Sequence, residues 1–234
     1  MIFGMFDPTI ILLIIAMAFA LLAQVKVSSA YKKYSKVKNS TGMTGAQAAR
    51  VILDKNGLTD VPIEISQGKL SDHYDPRTRV VRLSPGVYNT PSVAALSIAA
   101  HEAGHAMQHA KGYTPLVIRS SIAPAASVSS TLSFPLLIIG LIVIAAGNYG
   151  PGNLIFNIGI LFFVGVILFH TVTLPVEFNA SKVAMEELSE YGIIRSEEMS
   201  GAKKVLSAAA MTYVAALAVS VMHLIRILII RGSD

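Results

Sequence analysis

Residues 101–105 read His-Glu-Ala-Gly-His. On a helix, positions i and i+4 face the same way, so His101 and His105 can each turn a ring nitrogen toward one cation at about 2.0–2.1 Å. Glu102 carries a carboxylate beside them that can take a proton from a water activated at that cation. The surrounding residues are rich in Ala and Leu and end at Gly112, which is helix chemistry with a stop signal. With six His and eight Glu among 234 residues, chance supplies this spacing on the order of 0.005 times. These residue types at this spacing point to zinc and to hydrolysis, with Glu102 as general base.

Two imidazoles leave a catalytic zinc one protein ligand short. The chain has no Cys, so His, Asp or Glu must supply the third. Candidates are His73, His109, His170, Glu177, Glu186, Glu187 and Glu190. His109 lies a further turn along the same helix, about 12 Å up the axis from His101, too far to join both. His170 falls inside an apolar stretch, and His73, in a polar loop, stays open. Glu177 fits best, because two expected membrane crossings separate it from His105 and return the chain to the same face. Glu186 and Glu187 read as solvated.

The elements that must position these groups are largely apolar. The chain is 53% hydrophobic and only 14% charged, against about 25% charged in an ordinary soluble domain. Three stretches carry no Asp, Glu, Lys or Arg: residues 8–25, 120–176 and 205–225. The first and last each suffice for one crossing, and the middle one for two. Its break is expected at residues 147–153, GNYGPGN, where Gly, Pro and Asn favour a turn. Pro124 and Pro135 mark the second crossing as kinked or interfacial at its start. A signal peptide is excluded for the first run, because its Lys residues follow rather than precede it. Four crossings with the N-terminus outside place residues 26–119 and 177–204 inside, with seventeen of the nineteen Lys and Arg, as the positive-inside rule requires. The net charge of +5 is largely accounted for in this way, and no P-loop or aromatic RNA motif appears, so nucleic acid is not an expected partner.

Between crossings one and two the pattern is that of a small α+β domain. A helix is expected over residues 44–56 with Thr44 as N-cap, then two short strands over 61–66 and 78–84 as an antiparallel pair around a turn, then the helix carrying His101. The expected division is residues 1–25 as span one, 26–120 as catalytic domain, 121–146 and 153–174 as spans two and three, 175–204 as a cytoplasmic helix with the third ligand, and 205–230 as span four. The class is predominantly α, a four-span membrane protein.

Three segments carry a resemblance to a known family: SIAAHEAGHAMQ at 97–108, RVVRLSPGVYNTPSVAALS at 79–97 and LPVEFNASKVA at 174–184. With them, most of the chain resembles the YugP-like neutral zinc metallopeptidases of bacterial membranes. The resemblance implies zinc, one per chain, on His101, His105 and Glu177, with Glu102 as general base in a zincin-like domain. The E-F-N-A-S piece is also similar to the E-x-x-A-D helix of HtpX-like and CAAX-processing peptidases, with Ser181 where those have Asp.

The expected reaction is cleavage of protein or peptide substrates at the cytoplasmic face of the inner (plasma) membrane, in contact with the lipid bilayer. A homo-oligomer or a membrane regulatory partner stays open. An extended substrate could add to a strand edge, expected at residues 78–84. Asn89 is a candidate to align it, and Tyr191, Arg195 and His223 are candidate oxyanion donors. Competing readings are a site-2-type intramembrane protease, which would want an L-D-G motif that the sequence lacks, an inactive scaffold or metal sensor, for which Glu102 would be superfluous, and a zinc transporter, which would need ligands inside the crossings beyond His170 and His223.

Overall fold

The computed structural model describes residues 9–232; the first eight residues of the expected first span, and with them the expected side of the N-terminus, lie outside the described residues. The described chain is mostly helical. In order, it forms α1 (Ile10–Tyr34), α2 (Gly45–Lys55), β1 (Ile63–Ile65), β2 (His73–Asp75), β3 (Val80–Leu83), α3 (Pro85–Tyr88), α4 (Val93–Ala110), α5 (Thr114–Ala145), α6 (Tyr149–Glu190) and α7 (Ser196–Gly232). Four of these helices, α1, α5, α6 and α7, are long and apolar enough to cross a membrane.

The chain packs as two units, one of Met1–Leu21, Ile118–Leu174 and Tyr213–Asp234, the other of Leu22–Val117 and Pro175–Thr212. In the first, large apolar side chains stand in the open: Ile14 is 60% exposed, Ile142 62% and Leu161 71%. Rows of such residues on long helices suit hydrocarbon rather than water. Small residues let α5 and α6 approach within this unit. A methyl group on Gly140 would lie 2.7 Å from the Phe156 backbone nitrogen, and one on Gly159 2.9 Å from that of Leu137. The turn between them is shorter than residues 147–153. Gly147, at φ +86°, caps α5, and α6 has begun by Tyr149. Gly150, Pro151 and Gly152 therefore belong to the first turn of α6, where the missing N–H of proline has no partner to lose.

The second unit has a core of its own. Ile52 and Leu53 of α2, Val81 and Leu83 of β3, Leu96 of α4 and Leu188 of α6 are fully buried together, each contributing about 1.5–3 kcal/mol. Thr44 caps α2 as its sequence suggests: its hydroxyl accepts from the Gln47 N–H, and the Gln47 side chain accepts from the Thr44 N–H. At the other end, the Asn56 amide donates to Glu187 Oε2 at 2.6 Å. Glu187 is thus buried rather than solvated, whereas Glu186 is exposed beside Lys182.

The sheet corrects the expected antiparallel pair. Strand order is β1-β3-β2: β1 pairs with β3 in parallel, Ile63 opposite Val81, and β2 pairs with β3 antiparallel, Tyr74 opposite Val81. The stretch expected as a plain turn holds a third strand, His73–Asp75, and the tight turn follows it. There the Asp75 carboxylate accepts from the Arg77 N–H and the Thr78 hydroxyl, closing the β2–β3 hairpin. β3 is consequently the central strand, paired on both sides, so residues 78–84 offer no free edge. The edges are β1 and β2.

Two helices also run further than expected. α5 begins at Thr114, seven residues before the expected second span, and includes both Pro124 and Pro135. α6 continues through Pro175 without a break, so Glu177 lies within a 42-residue helix instead of opening a new one. A proline inside a helix costs about 3 kcal/mol. Here Val176, Glu177 and Ala180 just beyond it are at most 3% exposed, and that packing holds the helical path.

Candidate metal centre

All groups of the centre belong to the second unit. α4 is positioned by its small residues: Ala95, Ala99, Ala100 and Ala103 are at most 1% exposed, so neighbouring helices can come close on two sides. Its N-terminus is capped by the Ser92 hydroxyl, which accepts from the Ala95 N–H. On the side of α6 stands Gly104, between the two His residues. A methyl group there would sit 3.0 Å from the Ala180 carbonyl oxygen. This close approach lets Glu177, three residues before Ala180, reach the His101 and His105 rings.

Glu177 Oε2 lies 3.2 Å from His101 Nε2 and 3.6 Å from His105 Nε2. The two rings meet edge to face, with centroids 4.7 Å apart. One donor atom from each of the three residues falls within 4.8 Å of the others, the one such group among the described residues. Two imidazoles and a carboxylate converging this tightly match the donor set of a catalytic zinc. Glu177 is 3% exposed, and burying a lone carboxylate is costly unless cationic or hydrogen-bonding partners face it. The arrangement therefore fits a cation.

Both imidazoles are held from behind. His105 Nδ1 faces Gln108 Oε1 at 3.0 Å, and His101 Nδ1 faces the Ser181 hydroxyl at 3.3 Å. Glu102 is 8% exposed. Burial pushes its carboxyl above the usual range, more than the neighbouring His101 and His105 pull it down, and the charges of Glu177 and Asp72 add to the rise. Asp72, just before β2, is fixed by the Ser84 N–H at 2.7 Å and by the Ser84 hydroxyl.

Comparison with known proteins decides the family. The family described as "putative neutral zinc metallopeptidase" matches residues 9–232. The chain belongs to this zinc metallopeptidase family. It is also 49% identical over 221 residues to the Bacillus subtilis protein named "Putative membrane protease YugP", covering 94% of this chain and 95% of the relative. No solved structure matches it.

The other residues singled out from the sequence of this family member are dispersed. Asn89 caps α3, donates to the Pro85 carbonyl, and lines an open groove of about 920 Å³ with Tyr88, Met43 and Ile63. Tyr191 follows the end of α6, nearly four turns beyond Glu177, and its hydroxyl lies 3.5 Å from the Asn56 amide. Arg195 is exposed at the start of α7, its N–H donating to Glu198 Oε2. His223 lies in the first unit between the rings of Phe134 and Phe163. Among the remaining ligand candidates, His73 is exposed against the Ser71 carbonyl, His109 meets the Tyr74 hydroxyl at 2.8 Å, His170 packs on Phe169, and Glu190 is exposed. Gln108 and Asn179 carry no motif that sequence patterning would single out. The one signal at Gln108 is spacing, i+3 from His105.

Proposed function

We propose that this chain is a membrane-embedded zinc endopeptidase that cleaves protein or peptide substrates at the cytoplasmic face of the plasma membrane. One zinc per chain is held by His101, His105 and Glu177. The observation that carries the reading is the buried convergence of those three donors within 4.8 Å, with the Glu102 carboxylate buried beside them. Bound zinc would supply Lewis acidity toward the scissile carbonyl and toward a water near neutral pH. Glu102 takes the proton from the attacking water and later returns it to the departing amine. A carboxyl raised by burial suits both directions of transfer. Glu177, buried and anionic, neutralises charge at the centre and keeps the two imidazoles in register.

An extended substrate adds to a free strand edge by main-chain hydrogen bonds. β2 is the favoured edge, because it packs against the site helix through Tyr74 and His109. The distribution of Lys and Arg supports the orientation, with the soluble domain between spans one and two inside. The test is metal analysis with casein cleavage on the purified chain and on Glu177→Ala. One zinc per chain and cleavage, both lost in Glu177→Ala, support the reading. A Glu177→Ala protein that keeps zinc and activity rejects the ligand set.

A further inference from the structure

Gln108 is 3% exposed, and both ends of its amide are engaged. Nε2 donates to the Val176 carbonyl at 2.9 Å and to Asn179 Oδ1 at 2.8 Å, while Oε1 lies 3.0 Å from His105 Nδ1. A main-chain carbonyl can only accept, so the Val176 contact fixes which end of the amide is Nε2. The end facing His105 is then Oε1, which also only accepts. His105 Nδ1 must carry the proton. In the neutral ring this leaves the Nε2 lone pair free, and Nε2 is the atom 3.6 Å from Glu177 Oε2. His101 is under no such constraint, since the Ser181 hydroxyl at its Nδ1 can donate or accept.

We propose that Gln108 is the positioning residue of the metal centre. It holds His105 in the Nδ1–H tautomer with Nε2 presented to the cation. The same amide ties α4 to α6 at Val176, the residue before Glu177, and so fixes the spacing between the helices that bring the ligands. A single neutral side chain sets one ligand chemically and the other geometrically. Orienting partners of this kind are worth about 10–100-fold in metal affinity.

The proposal rests on the zinc reading above, which the zinc content of the parent protein tests on its own; comparison among variants tests Gln108. Gln108→Met fills nearly the same volume without an acceptor, whereas Gln108→Glu keeps an acceptor at His105 Nδ1 and gives up the donor to Val176. Zinc affinity is read by chelator competition, ligand geometry by the visible absorption of the cobalt(II)-loaded protein, and folding by the melting temperature of the metal-free chain. Expected is a loss of about 10–100-fold in zinc affinity with an altered cobalt spectrum for Gln108→Met, and a clearly smaller loss for Gln108→Glu, which keeps the acceptor at His105 Nδ1 but not the tie to Val176. Parental affinity in Gln108→Met, or an equal loss in both variants, overturns the orienting role. If metal-free Gln108→Met does not fold, Gln108→Asn, one methylene too short to bridge His105 and Val176, takes its place in the same comparison.

Discussion

The backbone of α4 at Gly104 runs against the backbone of α6 at Ala180, so closely that a methyl group on Gly104 would come 3.0 Å from the Ala180 carbonyl oxygen and 3.5 Å from its Cα. The partner atoms are main chain and cannot swing aside. Gly104→Ala gains about 1 kcal/mol of helix propensity, but it must push the two helices apart by a few tenths of an ångström at a cost of about 1–3 kcal/mol. The expected outcome is a net destabilisation of about 1 kcal/mol together with weaker zinc binding, because the same movement separates Glu177 from the His101 and His105 rings. Melting temperature and zinc titration check it; an unchanged zinc affinity would show that the crossing does not set the ligand distances.

Glu102→Gln separates proton transfer from metal binding. Zinc content is expected to stay at the parental level while cleavage falls by about 10²–10⁴-fold. The same substitution has a stability signature in the metal-free chain. Burial raises the folded-state pKa of Glu102 above its unfolded value, so holding the charged carboxylate costs stability at neutral pH, and the cost vanishes once pH falls below the ordinary Glu value of about 4.3. Metal-free Glu102→Gln should therefore melt higher than the parent at pH 7, with the advantage fading toward pH 4. Calorimetry at two pH values decides; a lower melting temperature at pH 7 sinks the argument.

Asp75 gives the opposite sign. Its carboxyl is lowered to about 2 by the Thr78 hydroxyl and the Arg77 N–H, with the Arg82 guanidinium assisting. A depressed folded-state value contributes stability that is complete above the unfolded pKa of about 3.9 and is lost as pH falls through the folded one. Asp75→Ala should destabilise the protein at pH 7, and the gap between variant and parent should narrow between about pH 4 and pH 2. Thermal melts across that range are the check, and a gap independent of pH would remove Asp75 from the hairpin's stability.

The orientation can be read chemically, because the chain has no Cys of its own. Lys69→Cys in the exposed β1–β2 loop and Asn148→Cys in the turn between α5 and α6 each create a single thiol. In intact cells a membrane-impermeant maleimide should label Asn148→Cys at once and Lys69→Cys only after permeabilisation. The reverse pattern would place the metal centre outside.

The parts of this architecture that are visible in the sequence are those encoded by local chemistry. The Thr44–Gln47 capping box, the Ala-rich α4 and the i, i+4 spacing of His101 and His105 are all short-range signals, and the structure carries each of them. The convergence of Glu177 with the two His residues is reachable by a longer argument from charge-free stretches, whose lengths suit four helices long enough to cross a bilayer. What stayed hidden depends on tertiary partners. Three residues, His73–Asp75, next to Pro76 look like turn chemistry until β3 pairs with them, and alternation alone does not distinguish parallel from antiparallel pairing. Pro175 signals a helix end that buried packing overrides. Gln108 is one more polar helix residue until the Val176 carbonyl stands opposite its amide.

The continuity of α6 has a consequence for how this chain can vary. Each residue in an α-helix turns the next by about 100°, so one residue inserted between Glu177 and Ala180 would swing Glu177 a quarter-turn or more relative to Ala180, which sits against Gly104 between the two His residues. Seven residues, close to two whole turns, would restore the angle to within about 20° but carry Glu177 about 10 Å along the axis, out of reach of the imidazoles. The segment is thus held in helical phase with the chemistry: it tolerates changes in letter far more readily than changes in count.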